Sequence, residues 1–113
     1  MSGVRLVDSA RVTLDGSGTG TVRFGPTRPG ERWHVTSVSV SVSTNTSTPV
    51  AKVYRGNVGP GTFISGTYDG ALDTDPQLNE QLWPGEYLSV QWTGGDSGAT
   101  ATATYRGTIE TRM

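Results

Sequence analysis

Apolar and small hydroxyl side chains alternate with a period of two along most of this chain, and no other feature constrains its fold as strongly. A strand that buries one face places apolar residues at every second position, whereas a helix spaces them three and four apart. Val12 and Leu14 alternate with Arg11 and Thr13; after a turn-forming stretch from Gly16 to Gly20, Val22 and Phe24 alternate with Thr21 and Arg23. This pair reads as a β-hairpin. Arg32 to Ser43 reads as a long strand whose apolar phase changes between Val35 and Val38, so a bulge near Thr36-Ser37 is needed to restore one inward face. Val50 to Arg55 and Thr62 to Tyr68 read as short strands around a loop rich in Gly and Pro. Asp69 to Gln81 contains four acidic residues and Pro76 without periodicity, and reads as a long loop with room for one helical turn. Tyr87 to Trp92 aligns Leu88, Val90 and Trp92, and Ala99 to Ile109 aligns Ala99, Ala101, Ala103, Tyr105 and Ile109. With Gly94 to Gly98 between them, these two read as the clearest hairpin in the chain.

Seven or eight strands and no helical pattern predict an all-β fold, a single antiparallel β-sandwich that is jelly-roll-like, with a closed barrel as the alternative. Gly, Pro, Ser and Thr fill 50 of 113 positions, which disfavours a helical bundle. The length suits one domain. We divide it into an N-terminal arm, residues 1–8, and a sandwich domain, residues 9–113. The alanine row leaves a gap unless large groups lie opposite, so Trp33 and Trp92 are expected in one core against Ala99, Ala101 and Ala103.

Several chemistries are disfavoured by the same residues. Nine basic and ten acidic side chains give a net charge of −1 without a basic run, which argues against a nucleic-acid partner. The absence of cysteine removes disulfides, thiolate metal sites and thiol catalysis. No stretch approaches the roughly 18 continuous apolar residues of a membrane span, and no signal peptide is apparent, so no membrane partner is expected. A Ser-His-acid triad would have to use His34, the single histidine, which falls between two inward residues and lacks a nucleophile elbow. No catalytic residue and no cofactor are therefore expected. Asp69, Asp73 and Asp75 could offer oxygen ligands to calcium, but their spacing is not that of an EF-hand, and a solvated turn is the simpler reading.

Trp83, beside Pro84, and Tyr68 remain as candidates for stacking on a glycan once the other aromatics are assigned to packing. The hydroxyl rows are more unusual. Ser37, Ser39, Ser41 and Ser43 alternate along one strand, Thr100, Thr102 and Thr104 along another, and Trp33 through Ala51 carries no charged residue. Threonine can simply fill a solvent face. Alternatively, neighbouring subunits cover faces that lack the charges with which free proteins repel one another. Val4, Leu6 and Val7 would supply an arm able to add to a neighbour's sheet edge.

Gly30-Glu-Arg-Trp33-His-Val35, Pro49-Val-Ala-Lys-Val-Tyr-Arg-Gly56, Gly66-Thr-Tyr-Asp-Gly70, Pro84-Gly-Glu86 and Gln91-Trp-Thr-Gly-Gly-Asp-Ser-Gly-Ala-Thr100 resemble the small β-sandwich proteins of tailed phages that infect actinobacteria, minor virion components among them. The resemblance spans about residues 30 to 108 and rests on turn and core residues, with no catalytic motif to carry over. A single lysine beside eight arginines agrees with a GC-rich source. The resemblance implies a non-enzymatic phage virion protein, a capsid decoration or minor capsid protein, assembled in the host bacterial cytoplasm. Together with the uncharged faces and the arm, it leads us to expect a homo-oligomer, a trimer before other states, bound to the major capsid protein. The alternative is a carbohydrate- or receptor-binding module of the tail or capsid surface, using Trp83, Tyr68 and the acidic loop.

Overall fold

The computed structural model describes residues 3–26, 29–43, 49–56, 58–64, 68–69, 72–75 and 79–111, with backbone alone at 3, 60, 68–69, 72–75 and 111. The alternating segments become strands β1 (Gly3–Thr13), β2 (Gly20–Phe24), β3 (Glu31–Val42), β4 (Val50–Arg55), β8 (Leu88–Thr93) and β9 (Thr100–Thr111). Three short strands join them: β5 (Tyr68–Asp69), β6 (Leu72–Asp75) and β7 (Glu80–Leu82). The segment expected as a loop between Asp69 and Gln81 thus contains β6 and the start of β7, because strands of three or four residues are too brief to display a period. Thr62 does not begin a strand either: a 3-10 turn covers Pro60–Thr62 and Phe63 makes a single bridge to Tyr54, while Tyr68 pairs with Ala51 and residues 65–67 of the expected strand lie outside the described residues.

Two antiparallel sheets result. The first runs β1-β9-β3, with β6 and β7 sharing the far side of β3, and the second runs β2-β8-β4-β5. Pairing is nested, β1 with β9, β2 with β8, β3 with β6 and β7, β4 with β5. One long hairpin is therefore rolled around the core so that its successive rungs fall in opposite sheets, which makes the fold a jelly-roll β-sandwich.

Neither expected hairpin forms. β1 and β2 lie in different sheets, as do β8 and β9, so the glycine-rich segments between them are arches that cross the sandwich. These arches grip one another. Leu14 N donates to Ala99 O (2.8 Å), Gly98 N to Leu14 O (3.0 Å) and Gly95 N to Gly18 O (3.1 Å). A Cβ on Gly18, whose φ is 76°, would lie 2.0 Å from the Gly95 carbonyl oxygen, so only glycine fits that approach.

The phase change in β3 is met by the expected bulge. Its register against β9 slips between Val35 and Ser37, which brings Val35, Val38 and Val40 to the same buried side. Trp92 is fully buried, flanked within its sheet by Gly20 and Ala51, and shares one cluster with Ala101 and Ala103 of the other sheet and with Ala99 just before it. Trp33 meets the expectation only in part: it packs against the margin of the same core cluster. It pairs with Ile109 rather than lying near the alanines, and is only half-buried. Strands β1, β3 and β9 have 11 or 12 residues and β2, β4 and β8 have five or six, so the first sheet outreaches the second. Trp33 sits toward the end where that excess lies.

Candidate functional site

The nested pairing sets the two hydroxyl rows side by side. Ser39 lies opposite Thr104 and Ser41 opposite Thr102 on the outer face of the first sheet, and β1 extends these rows with Ser9 and Arg11. Thr100 continues the pattern beside Thr13, and Thr100 N donates a hydrogen bond to the Ser43 hydroxyl oxygen (2.9 Å). Every predicted hydroxyl position thus belongs to one face, whose two central strands carry no charged side chain between Ser37 and Ser43 or between Thr100 and Thr104. Side chains on this face are half-exposed or exposed.

Residues 3–8 are not a separate arm. They form the first half of β1, which pairs with β9 without a register break from Gly3 to Thr13. Leu6, expected at an interface, is 4% exposed and belongs to the protein's own core, whereas Val4 and Val7 are 60% and 52% exposed. Asp8 is a charged residue in the inward phase of Leu6, Ala10 and Val12, and that break in the pattern is the sequence signal for its role. It stands opposite Tyr105 and accepts a hydrogen bond from the phenol. Burial first, then the Asp8 charge and this bond, raise the Tyr105 hydroxyl above its ordinary pKa.

At the overhanging end, Phe24, Tyr105 and Trp33 stack in a ladder with centroid separations of 4.0 and 5.7 Å. The ladder borders a cleft of about 390 Å³ lined also by Arg23, Glu86 and Tyr87. Sequence reasoning missed this group because Phe24, Trp33 and Tyr105 come from three separate strands. Trp83 lies nearby, 41% exposed, with the Arg32 guanidinium 5.2 Å above its ring. Arg55 ties the two sheets together here, donating to Glu80 (3.1 Å), the Gln81 carbonyl (2.9 Å) and Glu86 (3.2 Å). The side chains of Tyr68, Asp69, Asp73 and Asp75 lie outside the described part; their backbones put Asp69 in the second sheet and Asp73 and Asp75 in the first.

His34 is on the outer face, pairs with Thr108 and holds Nε2 2.5 Å from the Asn79 amide oxygen. A shallow hollow of about 570 Å³ adjoins it, lined by Arg5, Val7, Thr36, Arg106 and Thr108. Among the described residues no three His, Asp or Glu gather into a metal-binding group. No family model, curated protein or solved structure matches the chain. The β-sandwich class therefore rests on topology, and function on the surfaces themselves.

Proposed function

We propose that this chain is a non-enzymatic structural protein of a phage virion, a capsid decoration or minor capsid protein that acts through protein–protein contacts with its own copies and with the major capsid protein. The observation that carries the reading is the joined hydroxyl face of Ser39, Ser41, Thr100, Thr102 and Thr104, bordered by the open edge of β1. The serine and threonine rows are themselves uncharged, with Arg11 and Arg106 at their borders, and sparsely charged faces beside long edges favour association, which free proteins ordinarily suppress with charge. On a shell, many copies of a modest contact bind together strongly through multivalency. The resemblance to small phage sandwich proteins supplies the setting. The test is position in particles: a reconstruction of virions from the producing host should show this sandwich on the capsid surface. Purified particles that lack the protein would overturn the reading. Thr102→Lys should leave the fold intact and lower particle occupancy, since it places charge in the middle of the face.

The aromatic cleft favours a second reading, a glycan- or receptor-binding module. Trp33 and Tyr87 line the cleft with half-buried rings, and Trp83 stands exposed close by. Titration of glycans against tryptophan fluorescence distinguishes it: saturable quenching that Trp83→Ala abolishes supports this reading against the first.

A further inference from the structure

Val4 and Val7 are the two most exposed of the large apolar side chains described, and they point to opposite faces of the first sheet, since positions of unlike parity alternate along a strand. A partner lying on either face covers only one of them. A strand laid beside the edge of β1 covers both, because its own side chains flank the two faces together. Among the described residues that edge is open: β1 pairs with β9 on one side and with no strand on the other. It is eleven residues long with no proline, lysine or bulge; its charges are Arg5 and Arg11 on the outer face and one in the inward phase, Asp8, already engaged by Tyr105.

We infer that β1 pairs with β1 of a second copy of this chain, antiparallel about a twofold axis, with Val7 directly opposite Val7 of the partner subunit. The strand's own sequence selects this register. With Val7 on Val7, Val4 faces Ala10, Arg5 faces Ser9, Leu6 faces Asp8 and Gly3 faces Arg11, so both exposed valines meet apolar partners and no like charges oppose. Sliding one step toward Asp8 sets Asp8 on Asp8 and Arg5 on Arg11; sliding the other way sets Val4 on Asp8 and Val7 on Arg5. The pair joins two first sheets into one continuous sheet and places the two hydroxyl faces on the same side. A twofold pair replaces the trimer as the basic unit, because an antiparallel strand pair is related by a twofold axis. The inference rests on the homo-oligomer part of the proposed function and is independent of which particle the copies join.

The chain has no cysteine, so a single introduced one reports its own neighbour without ambiguity. Opposed residues in an antiparallel pair have Cα atoms about 4.5–5.5 Å apart, within disulfide range. Full-length Val7→Cys should convert to a disulfide dimer under mild oxidation. Ser9→Cys should not, since in this register the two Ser9 positions are offset by four residues, about 13 Å. Val7→Lys, tolerated by an exposed site, should weaken the dimer seen by light scattering about tenfold or more through like-charge opposition while leaving circular dichroism unchanged. A dimer that cross-links through Ser9→Cys instead of Val7→Cys overturns the register and leaves self-association standing. A protein that stays monomeric at high concentration, with no cross-linking at position 7, overturns the pair and the homo-oligomer, while particle occupancy still judges the virion role separately.

Discussion

The two outer faces of this sandwich meet solvent on different terms. On the second sheet the chain covers itself: Gly56 and Phe63 contact Ser89 and Tyr54, which are buried although they point away from the core. Ser89 Oγ donates to the Gly56 carbonyl (2.6 Å), the Phe63 ring meets Tyr54 edge-on at 5.8 Å, and Ile64 N donates to Val53 O (3.1 Å). On the first sheet the described chain provides no such cover, and Ser41, Thr102 and Thr104 stay half-exposed. The same residue type therefore does different work at Ser89 and at Ser41. The Ser89 hydroxyl under its loop stabilises the fold, whereas the Ser41 hydroxyl stays half-exposed on the bare face.

Substitutions can break this contrast at graded depth. The largest effect belongs to the layer behind both faces: Trp92→Ala should lose about 3–5 kcal/mol in urea unfolding, as truncating a large buried aromatic does. A loss under about 1 kcal/mol would mean that no common core backs the two faces. Next, Ser89→Ala should cost about 1 kcal/mol by removing the hydroxyl that donates to the half-buried Gly56 carbonyl. Ser41→Ala should stay within about 0.5 kcal/mol by the same measurement. Equal losses at the two serines would erase the distinction between a covered and a bare face.

Smaller effects follow pH. The folded Tyr105 hydroxyl holds its proton above the ordinary phenol range, so the unfolded chain releases that proton first. The resulting stabilisation is complete below about pH 10 and declines as pH rises toward the folded value. Tyr105→Phe should flatten that decline in thermal unfolding. At the arched end the sign reverses. Asp15 is lowered below its ordinary value, chiefly by the Thr19 amide and then by the hydroxyl and amide of Ser17. Its contribution is present above the ordinary carboxylate pKa and is lost as pH falls through the lowered value. Asp15→Asn should remove this acid-side slope, the least of the effects because the carboxylate is fully exposed.

Alternation made the long strands legible, and even the bulge, because Val35 and Val38 cannot share a face without an extra residue between them. It could not assign strands to sheets. A hairpin and an arch leave the same inward positions, and Gly94 to Gly98 suits either; the choice is made by the fit of Gly18 against Gly95, a contact between segments far apart in sequence. The hydroxyl rows were readable one strand at a time, but their union needed the pairing of Ser41 with Thr102. Leu6 was misread because an apolar residue near the start of a chain looks the same whether it seeks a partner or its own core. The aromatic ladder joins residues from β2, β3 and β9, and no local spacing announces such a meeting.

The nested pairing also sets a timetable. Tyr68 finds Ala51 across a short loop, but Gly3 must find Glu110, nearly the whole described length away. Closing so long a loop before any contact repays the lost entropy is slow, and chains dominated by such pairings fold over milliseconds to seconds. During synthesis β1 leaves the ribosome first and has to wait for β9, its partner, which leaves last among the strands. Throughout that interval Leu6, Val12 and Leu14 have no finished core to enter. The earliest of the described strands is thus among the last to be protected, and the yield of folded protein depends on keeping β1 from other strands until β9 has been made.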